Sequence, residues 1–343
     1  MTKYNFPKFD LHLHLDGSFR IETLWELAME RGVKMPGATI EEYKDFLLRC
    51  SNAKDVNEYL KMFAEPTIVM SDFAAISRIT YELIADLAKD GMYYAEIRFA
   101  PQLHTGKGMS QAEAIEAVLD GRKRALADYP QIKIGIICCM MSIGPETLNW
   151  DANLETIKET AKYLGQGVVA IDLAGAEGIV PLSNFGPLFT KAKELNIPII
   201  CHAGDSQGPE TVKDALDFGV KRIGHGHHII LDPDLCALAK ERQVALEICP
   251  TSNIQCHTQP SYALHPAKQL LDLGIPVTIN TDNMTLARVN IDSEYDHCLL
   301  EMGFSYYDLI QMNINSARHS FLSDKEKEEV INKLESYRGI ELC

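Results

Sequence analysis

Residues 10–18 of the chain read Asp-Leu-His-Leu-His-Leu-Asp-Gly-Ser, and this stretch decides how the rest of the sequence is interpreted. In an extended strand successive side chains point to opposite faces, so Asp10, His12 and His14 share one face and the leucines share the other. The leucines can pack in a core while both imidazoles reach one cation. A catalytic zinc needs about three protein ligands and an open position, so the stretch predicts a metal site if further ligands follow.

Short apolar runs recur along the chain and predict eight strands, at residues 8–15, 93–101, 132–140, 168–174, 197–202, 222–226, 244–249 and 276–280. Helical patterns lie between most of them, at 154–164, 187–195, 209–218, 232–242 and 266–273. Strands that alternate with helices favour a parallel sheet. Eight such units predict an α/β fold, a closed (β/α)8 TIM barrel, as a single domain over residues 1–343.

The connection between the first two predicted strands is much longer than the others. It contains helical patterns at residues 21–31, 40–49, 55–62 and 73–90. Long connections are usually functional, and this one leaves the catalytic end of a barrel strand. We therefore expect residues 17–90 to form a helical insertion that covers the site as a lid, with a helical subdomain lacking that role as the alternative.

Composition indicates a small-molecule partner. The chain has 33 basic and 48 acidic residues, a net charge of -15, which disfavours binding to a nucleic-acid backbone. Nine cysteines without a Cys-x-x-Cys pair are typical of reduced, buried thiols. No apolar run approaches the roughly 18 residues of a membrane span. We expect a cytoplasmic protein without a nucleic-acid or membrane partner, and its oligomeric state stays open.

Polar side chains follow several of the predicted strands. His202 and Asp205 come after the fifth strand, His225 lies between two glycines after the sixth, and Asp282 follows the eighth. Barrel active sites are assembled from the C-terminal ends of different strands. These residues are therefore expected to meet the histidines of residues 10–18.

The residue types predict a hydrolytic metal site. The imidazoles of His12, His14 and His202 with the carboxylate of Asp282 suit one zinc ion per subunit, with water completing the set. Bound zinc lowers the pKa of water toward about 7 and so provides hydroxide at neutral pH. His225 is free to orient that hydroxide or to take its proton.

Other residues of the predicted strands and loops have less specific roles. Asp205 can donate a proton to the substrate, and Glu247 either supports a metal ligand or forms an ion pair inside the barrel. Glu96 and Arg98, two positions apart on one strand, are expected to pair with each other. Met140 is expected to lie near enough to the barrel mouth to touch a ligand.

The chain resembles the adenosine deaminase family of zinc (β/α)8-barrel amidohydrolases, within the metal-dependent amidohydrolase superfamily that includes AMP deaminases. The resemblance covers nearly the whole chain. It rests on residues 10–18 together with Ile-Asp-Leu-Ala-Gly at 171–175, His-Ala-Gly at 202–204, Gly-His-Gly at 224–226, Ile-Cys-Pro-Thr-Ser-Asn at 248–253 and Asn-Thr-Asp at 280–282.

The resemblance implies a role for each matching residue. The zinc ligands it implies are His12, His14, His202 and Asp282, and the catalytic residues are Asp205, His225 and Asp282. The implied substrate contacts are His14, Asp16 at the ribose 5′-hydroxyl, the Gly175 amide at purine N3, Asn283 at N7, and a hydrophobic lid of Tyr59, Leu60 and Phe63. The implied reaction is hydroxide attack at purine C6 with loss of ammonia.

Two positions depart from the family pattern. Asp205 stands where the family normally has the glutamate that protonates purine N1, so the carboxyl is one carbon–carbon bond, about 1.5 Å, shorter in reach. A misplacement of about 1 Å can cost on the order of 10²-fold in rate. Asn283 stands where the family has a second aspartate, and its amide can donate to N7 at any pH.

The resulting hypothesis is zinc-dependent deamination of adenosine and 2′-deoxyadenosine in purine salvage. One alternative is deamination of free adenine or of another 6-substituted purine, because both departures lie at the purine. A second is a purine-binding relative with little turnover. A third, an amidohydrolase with two metals bridged by a carboxylated lysine, is disfavoured because no predicted strand end offers that lysine clearly.

Overall fold

The computed structural model describes residues 3–51 and 53–338, which fold as a (β/α)8 barrel. Its parallel strands are β1 Lys8–His14, β2 Met92–Phe99, β3 Lys133–Ser142, β4 Val168–Gly175, β5 Ile200–Ala203, β6 Arg222–His225, β7 Ala245–Ile248 and β8 Val277–Ile279. Each strand overlaps one of the eight predicted strands, so the predicted fold class is confirmed.

The barrel closes through two short seams. Strands β1 to β4 pair in order, and so do β5 to β8. Ile171 in β4 donates its N–H to the carbonyl of Pro198, just before β5, at 2.9 Å. At the other seam, His14 N–H donates to the Asp282 carbonyl at 2.7 Å and Asp282 N–H donates to the His12 carbonyl at 2.8 Å. This seam places Asp282 beside both histidines of β1.

Helices follow the strands along the chain. They are α1 Ile21–Arg31, α2 Ile40–Cys50, α3 Val56–Tyr59, α4 Ala64–Val69, α5 Phe73–Lys89, α6 Gln111–Asp128, α7 Glu146–Tyr163, α8 Gly186–Glu194, α9 Pro209–Phe218, α10 Pro233–Glu241, α11 Pro250–Gln255, α12 Ala267–Asp272, α13 Ile291–Leu300, α14 Tyr306–His319 and α15 Asp324–Glu335. The first five lie between β1 and β2. The single helix predicted at 55–62 is instead α3 followed by a 3₁₀ turn at Leu60–Phe63.

The long helix α5 anchors the insertion to the barrel. It begins where the side chain of Asp72 accepts a hydrogen bond from Ala75 N–H at 2.9 Å, which satisfies one free amide of the first turn. It packs against α6 at Gly121, where a Cβ would lie 2.3 Å from the carbonyl oxygen of Ser77. Only glycine permits this close approach of the two helices.

Charged side chains from several strands form ion pairs inside the barrel. Arg98 pairs with Asp172 and with Glu247, both at 2.7 Å. Arg222, the first residue of β6, pairs with Glu247 at 2.6 Å and with Glu96. The expected pairing of Glu96 with Arg98 is therefore wrong. The two residues lie two positions apart along β2, and each forms its ion pairs with residues of other strands.

Two expectations from composition concern membrane spans and cysteines. No helix within the described residues is long and apolar enough to cross a bilayer. Seven cysteines are free and buried. The other two, Cys50 and Cys343, lie outside the described side chains.

Candidate active site

Three imidazoles and one carboxylate converge at the C-terminal end of the barrel. The Nε2 atoms of His12 and His14 lie 3.5 and 3.4 Å from Asp282 Oδ1. The ring of His202, from β5, lies 4.6 Å from that of His12 and 5.4 Å from that of His14. The structure thus brings all four predicted ligand residues around one point.

A buried carboxylate lies beside the Nδ1 atom of two of these histidines. His12 Nδ1 lies 2.9 Å from Glu247 Oε2, and His202 Nδ1 lies 2.9 Å from Asp172 Oδ2. A proton on each Nδ1 leaves the Nε2 lone pairs facing the shared point, the arrangement that metal-binding histidines usually have. His12 Nε2 is buried without a hydrogen-bond partner among the described residues. Nitrogen and oxygen donors set in this way fit a zinc ion.

Burial keeps two of the three histidines neutral. It lowers the pKa of His12 and lowers that of His14 to about 3, so both are neutral and able to donate a lone pair at neutral pH. Burial acts in the same direction on His202, but the adjacent Asp172 carboxylate outweighs it and raises the pKa of His202.

Asp282 and His225 both have backbone conformations unusual for their residue type. Their φ angles are 60° and 61°, in the left-handed region that residues with a Cβ rarely adopt. Such strain is typical of functional sites. Ser252 Oγ donates to Asp282 Oδ2 at 2.6 Å, and this bond leaves Oδ1 toward the histidines.

His225, at the end of β6, lies next to the predicted ligands. Its ring is 4.9 Å from that of His12 and 5.4 Å from that of His202, close enough for these three to form a second possible metal-binding set. Burial lowers the pKa of His225 to about 4. A neutral imidazole therefore lies beside the point where the ligand residues converge, and it can orient a water there through a hydrogen bond.

Asp205 reaches the same cavity from the loop after β5. Its Oδ1 accepts hydrogen bonds from Asn253 Nδ2 at 2.8 Å and from Thr258 Oγ1 at 3.0 Å. Burial, and next the nearby carboxylate of Glu177, raise the pKa of Asp205 to about 7. A carboxyl that keeps its proton near neutrality can act as a general acid.

Glu177 is a residue of the site that sequence analysis missed. Its carboxylate accepts hydrogen bonds from four consecutive backbone N–H groups, those of residues 204–207, at 2.7 to 3.1 Å. Thr211 Oγ1 donates to it as well, at 2.6 Å. Its position two residues after Gly175, just past β4, was the available signal.

These groups surround a cavity of about 180 Å³. The predicted site residues that line it are His14, Asp16, Tyr59, Leu60, Phe63, Gly175, His202, Asp205, His225, Asp282 and Asn283. The predicted lid residues thus lie on the same cavity as the metal point. His12 lies beneath it, fully buried.

Met140 does not lie where it was expected. It packs in the hydrophobic core, and its neighbours Cys139 and Met141 line the cavity instead. Alternate residues of a strand face opposite sides, so an error of one position moves the expected contact to the wrong face.

At the far end of the cavity, Asp16 Oδ1 is buried without a hydrogen-bond partner among the described residues. Its Oδ2 lies 3.8 Å from Nε2 of His104, a buried residue beyond the end of β2 that sequence analysis also missed. His104 Nδ1 lies 3.0 Å from the carbonyl of Met70 in the insertion. Asp16 can therefore accept a hydrogen bond from a hydroxyl in the cavity.

Comparison with known proteins places this geometry in context. The family model for adenosine deaminase matches residues 7–337. An adenosine deaminase of Haemophilus ducreyi is 39% identical over 325 residues, covering 94% of each chain. An adenosine deaminase of Vibrio vulnificus is 36% identical over 336 residues, covering 97% of this chain and 99% of its own.

Solved structures are similar over the full barrel. The adenine deaminase of Arthrobacter aurescens has a TM-score of 0.87 at 26% identity, covering 96% of this chain and 98% of its own. The N6-methyl-AMP deaminase of Arabidopsis thaliana has a TM-score of 0.82 at 26% identity, covering 96% of both chains.

Proposed function

This chain belongs to the adenosine deaminase family of hydrolytic deaminases, and from that premise we propose that it converts adenosine and 2′-deoxyadenosine to inosine and 2′-deoxyinosine with release of ammonia. The observation that carries the proposal is one cavity lined by a metal-type histidine and aspartate set, a proton-holding carboxyl and a free carboxylate oxygen. We assign each of these groups to one part of a purine nucleoside.

We assign one zinc ion per subunit to His12, His14, His202 and Asp282. The support is the donor set, in which Glu247 and Asp172 lie 2.9 Å from the Nδ1 atoms of His12 and His202, and His12 Nε2 lies 3.5 Å from Asp282. When bound, zinc would activate water as the nucleophile at neutral pH.

The remaining chemistry belongs to the protein. His225 donates a hydrogen bond to the attacking water and orients it as the bond from its oxygen to purine C6 forms. Asp205 donates its own proton to N1, whose double bond to C6 opens at that step. The amino group then takes one proton of the water and leaves C6 as ammonia, and the other proton of the water replaces the one that Asp205 gave to N1.

The far end of the cavity favours a nucleoside over a nucleotide. Asp16 would accept the 5′-hydroxyl of the sugar, and its carboxylate would repel a 5′-phosphate. No lysine or arginine is among the described residues that line the cavity. Gly175 and Asn283 line the cavity, and we assign their amides to purine N3 and N7. We also propose that residues 17–90 cover the substrate through Tyr59, Leu60 and Phe63.

A second candidate substrate is free adenine. Asp205 in place of the family's glutamate alters the purine end of the site, and the similar structure from Arthrobacter aurescens is an adenine deaminase. Asp16 favours the nucleoside, because a bare base has no 5′-hydroxyl for its carboxylate to accept.

A panel of purines tests the proposal. Zinc-loaded protein is incubated with adenosine, 2′-deoxyadenosine, adenine, AMP and N6-methyl-AMP, and ammonia release is measured. We expect turnover of both nucleosides, with adenine and the nucleotides far slower. Turnover of adenine alone would show that the substrate is the free base and not the nucleoside. Binding of a purine without ammonia release would show that the protein is not a deaminase.

The cell biology is part of the same proposal. We place the activity in purine salvage in the cytoplasm, with a small purine nucleoside as the partner. The acidic composition supports a small-molecule partner, and the buried free thiols support a reducing compartment.

A further inference from the structure

We infer that Asn253 is a positioning residue that fixes which oxygen of Asp205 carries the transferred proton and which nitrogen of His225 faces the substrate. The inference rests on the proposed function and deepens it. Asn253 lies at the C-terminal end of the barrel in α11 and is fully buried. Its side-chain amide contacts three titratable residues.

His265 determines how this amide is oriented. Ala267 N–H donates to His265 Nδ1 at 3.1 Å, so Nδ1 is an acceptor and the ring proton is on Nε2. Burial lowers the pKa of His265 to about 3, so the ring remains neutral and keeps this tautomer. His265 Nε2 then donates to Asn253 Oδ1, which lies 3.1 Å away. The opposite orientation would place two N–H groups against each other.

The orientation directs both hydrogens of the Asn253 amide into the active site. Nδ2 donates to Asp205 Oδ1 at 2.8 Å and to His225 Nδ1 at 3.2 Å. A nitrogen that accepts a hydrogen bond carries no proton, so the ring proton of neutral His225 is on Nε2. One amide therefore links the proton donor to the histidine beside the metal point.

Asp205 is left with one oxygen for catalysis. Its Oδ1 accepts from both Asn253 and Thr258, so the proton is carried on Oδ2. An aspartate is shorter than the glutamate usual in the family. A fixed side-chain rotamer offsets the shorter reach, because the carboxyl then spends no time in conformations that point its proton away from the substrate. Without these two donors, the proton would be distributed over both oxygens.

Several charged groups face Asp205 and govern its titration. Burial and the Glu177 carboxylate raise its pKa, as does Asp282, whereas Thr258 and His202 lower it. His225 Nδ1 lies 3.8 Å from Asp205 Oδ1. Hydrogen bonds donated to a carboxylate favour its charged form, so their removal raises its pKa further.

The test compares four variants in the full-length, zinc-loaded protein. N253A and T258V each remove one donor to Asp205 Oδ1, and T258S retains the hydroxyl. Q255A is the matched control, because Gln255 lies in the same helix and donates to the carbonyl of Ala287, away from Asp205. The measurements are kcat, KM, the pH dependence of kcat and the melting temperature, together with the histidine ¹⁵N NMR spectrum of the metal-free protein.

We expect N253A to lower kcat by on the order of 10²-fold with little change in KM, as for a misplaced catalytic group. The decline of kcat at high pH should move to higher pH in N253A and T258V and stay in place in T258S and Q255A. The NMR spectrum of the unmodified protein should give the Nε2–H tautomer for His225 and His265.

Two results would overturn the inference. One is an Nδ1–H tautomer at His225 or His265, which tests the inference even if no purine is turned over. The other is an N253A variant of an active enzyme whose kcat and pH profile match those of the unmodified protein. Inactivity of the unmodified protein on every purine would instead reject the proposed function.

Discussion

The backbone N–H of Asp205 donates to Glu177 Oε2 at 3.1 Å, so a carboxylate from the loop after β4 holds the general acid proposed on the loop after β5. The same carboxylate accepts from the neighbouring amides of residues 204–207. Glu177 therefore holds the backbone of the loop that carries Asp205.

Removal of Glu177 should release that loop. We expect E177A to lower kcat by on the order of 10²-fold, because a shift of about 1 Å at the reacting group has that effect. E177D, which can restore part of the amide contacts, should recover some of the loss. Steady-state kinetics and zinc analysis provide the measurement, and an E177A variant with normal kcat would contradict the positioning role.

Asp205 itself should be required for turnover but not for metal binding. In D205N the amide keeps the shape of the side chain but cannot transfer a proton, so kcat should fall by roughly 10²- to 10⁴-fold. Zinc content and melting temperature should stay near those of the unmodified protein. Retention of full activity would show that another group protonates the purine.

The pH dependence of kcat should follow Asp205. Its pKa in the folded protein is raised to about 7, chiefly by burial and then by Glu177, so the proton-donating form is populated below that pH and lost above it. We expect kcat to decline as the pH rises through neutrality. In E177Q the decline should begin at lower pH, because a negative neighbour has been removed. An unchanged alkaline limb in E177Q would contradict this assignment.

Much of the candidate active site was predictable from the sequence, because a (β/α)8 barrel brings the C-terminal ends of its strands together. His202 and His225 lie at the C-terminal ends of strands and Asp282 lies just past one, so their meeting with His12 and His14 depends only on the fold. This is why a short His-Leu-His stretch was informative once the later strands were recognised.

The residues that were not predicted depend on loop conformation or exact register. Glu177 lies just past β4, which places it near the site, but its hydrogen bonds to the backbone amides of another loop are not marked by any residue type. Asn253 was part of a recognised motif, but its role depends on the tautomer of His265. Met140 was predicted to touch a ligand, but Met141 lines the cavity instead, because a shift of one position moves a side chain to the other face of a strand.

The D205E substitution tests whether the site tolerates the glutamate usual in the family. It extends the carboxyl by about 1.5 Å toward the purine, while the backbone contact to Glu177 stays available. We expect adenosine turnover to be preserved or raised. Loss of activity with retained fold and zinc would indicate a site rebuilt around aspartate, and the substrate panel should then be repeated with adenine first.

Arg98 should matter for both stability and metal binding. It is fully buried between Asp172 and Glu247, which in turn hold His202 and His12. R98M would leave two buried carboxylates without this partner, and removing one member of a buried ion pair typically costs about 3–5 kcal/mol. Loss of the groups that orient metal ligands typically weakens metal binding by about 10- to 100-fold.

Denaturant unfolding and zinc titration of R98M measure the two effects separately. K213M is the matched control, since it removes a lysine from an exposed ion pair with Asp217 on α9, far less buried than Arg98. We expect the control to match the unmodified protein in both measurements. If R98M unfolds at lower denaturant but binds zinc normally, the Arg98 network stabilises the barrel without orienting the histidines, and the link from Arg98 to the metal site is wrong.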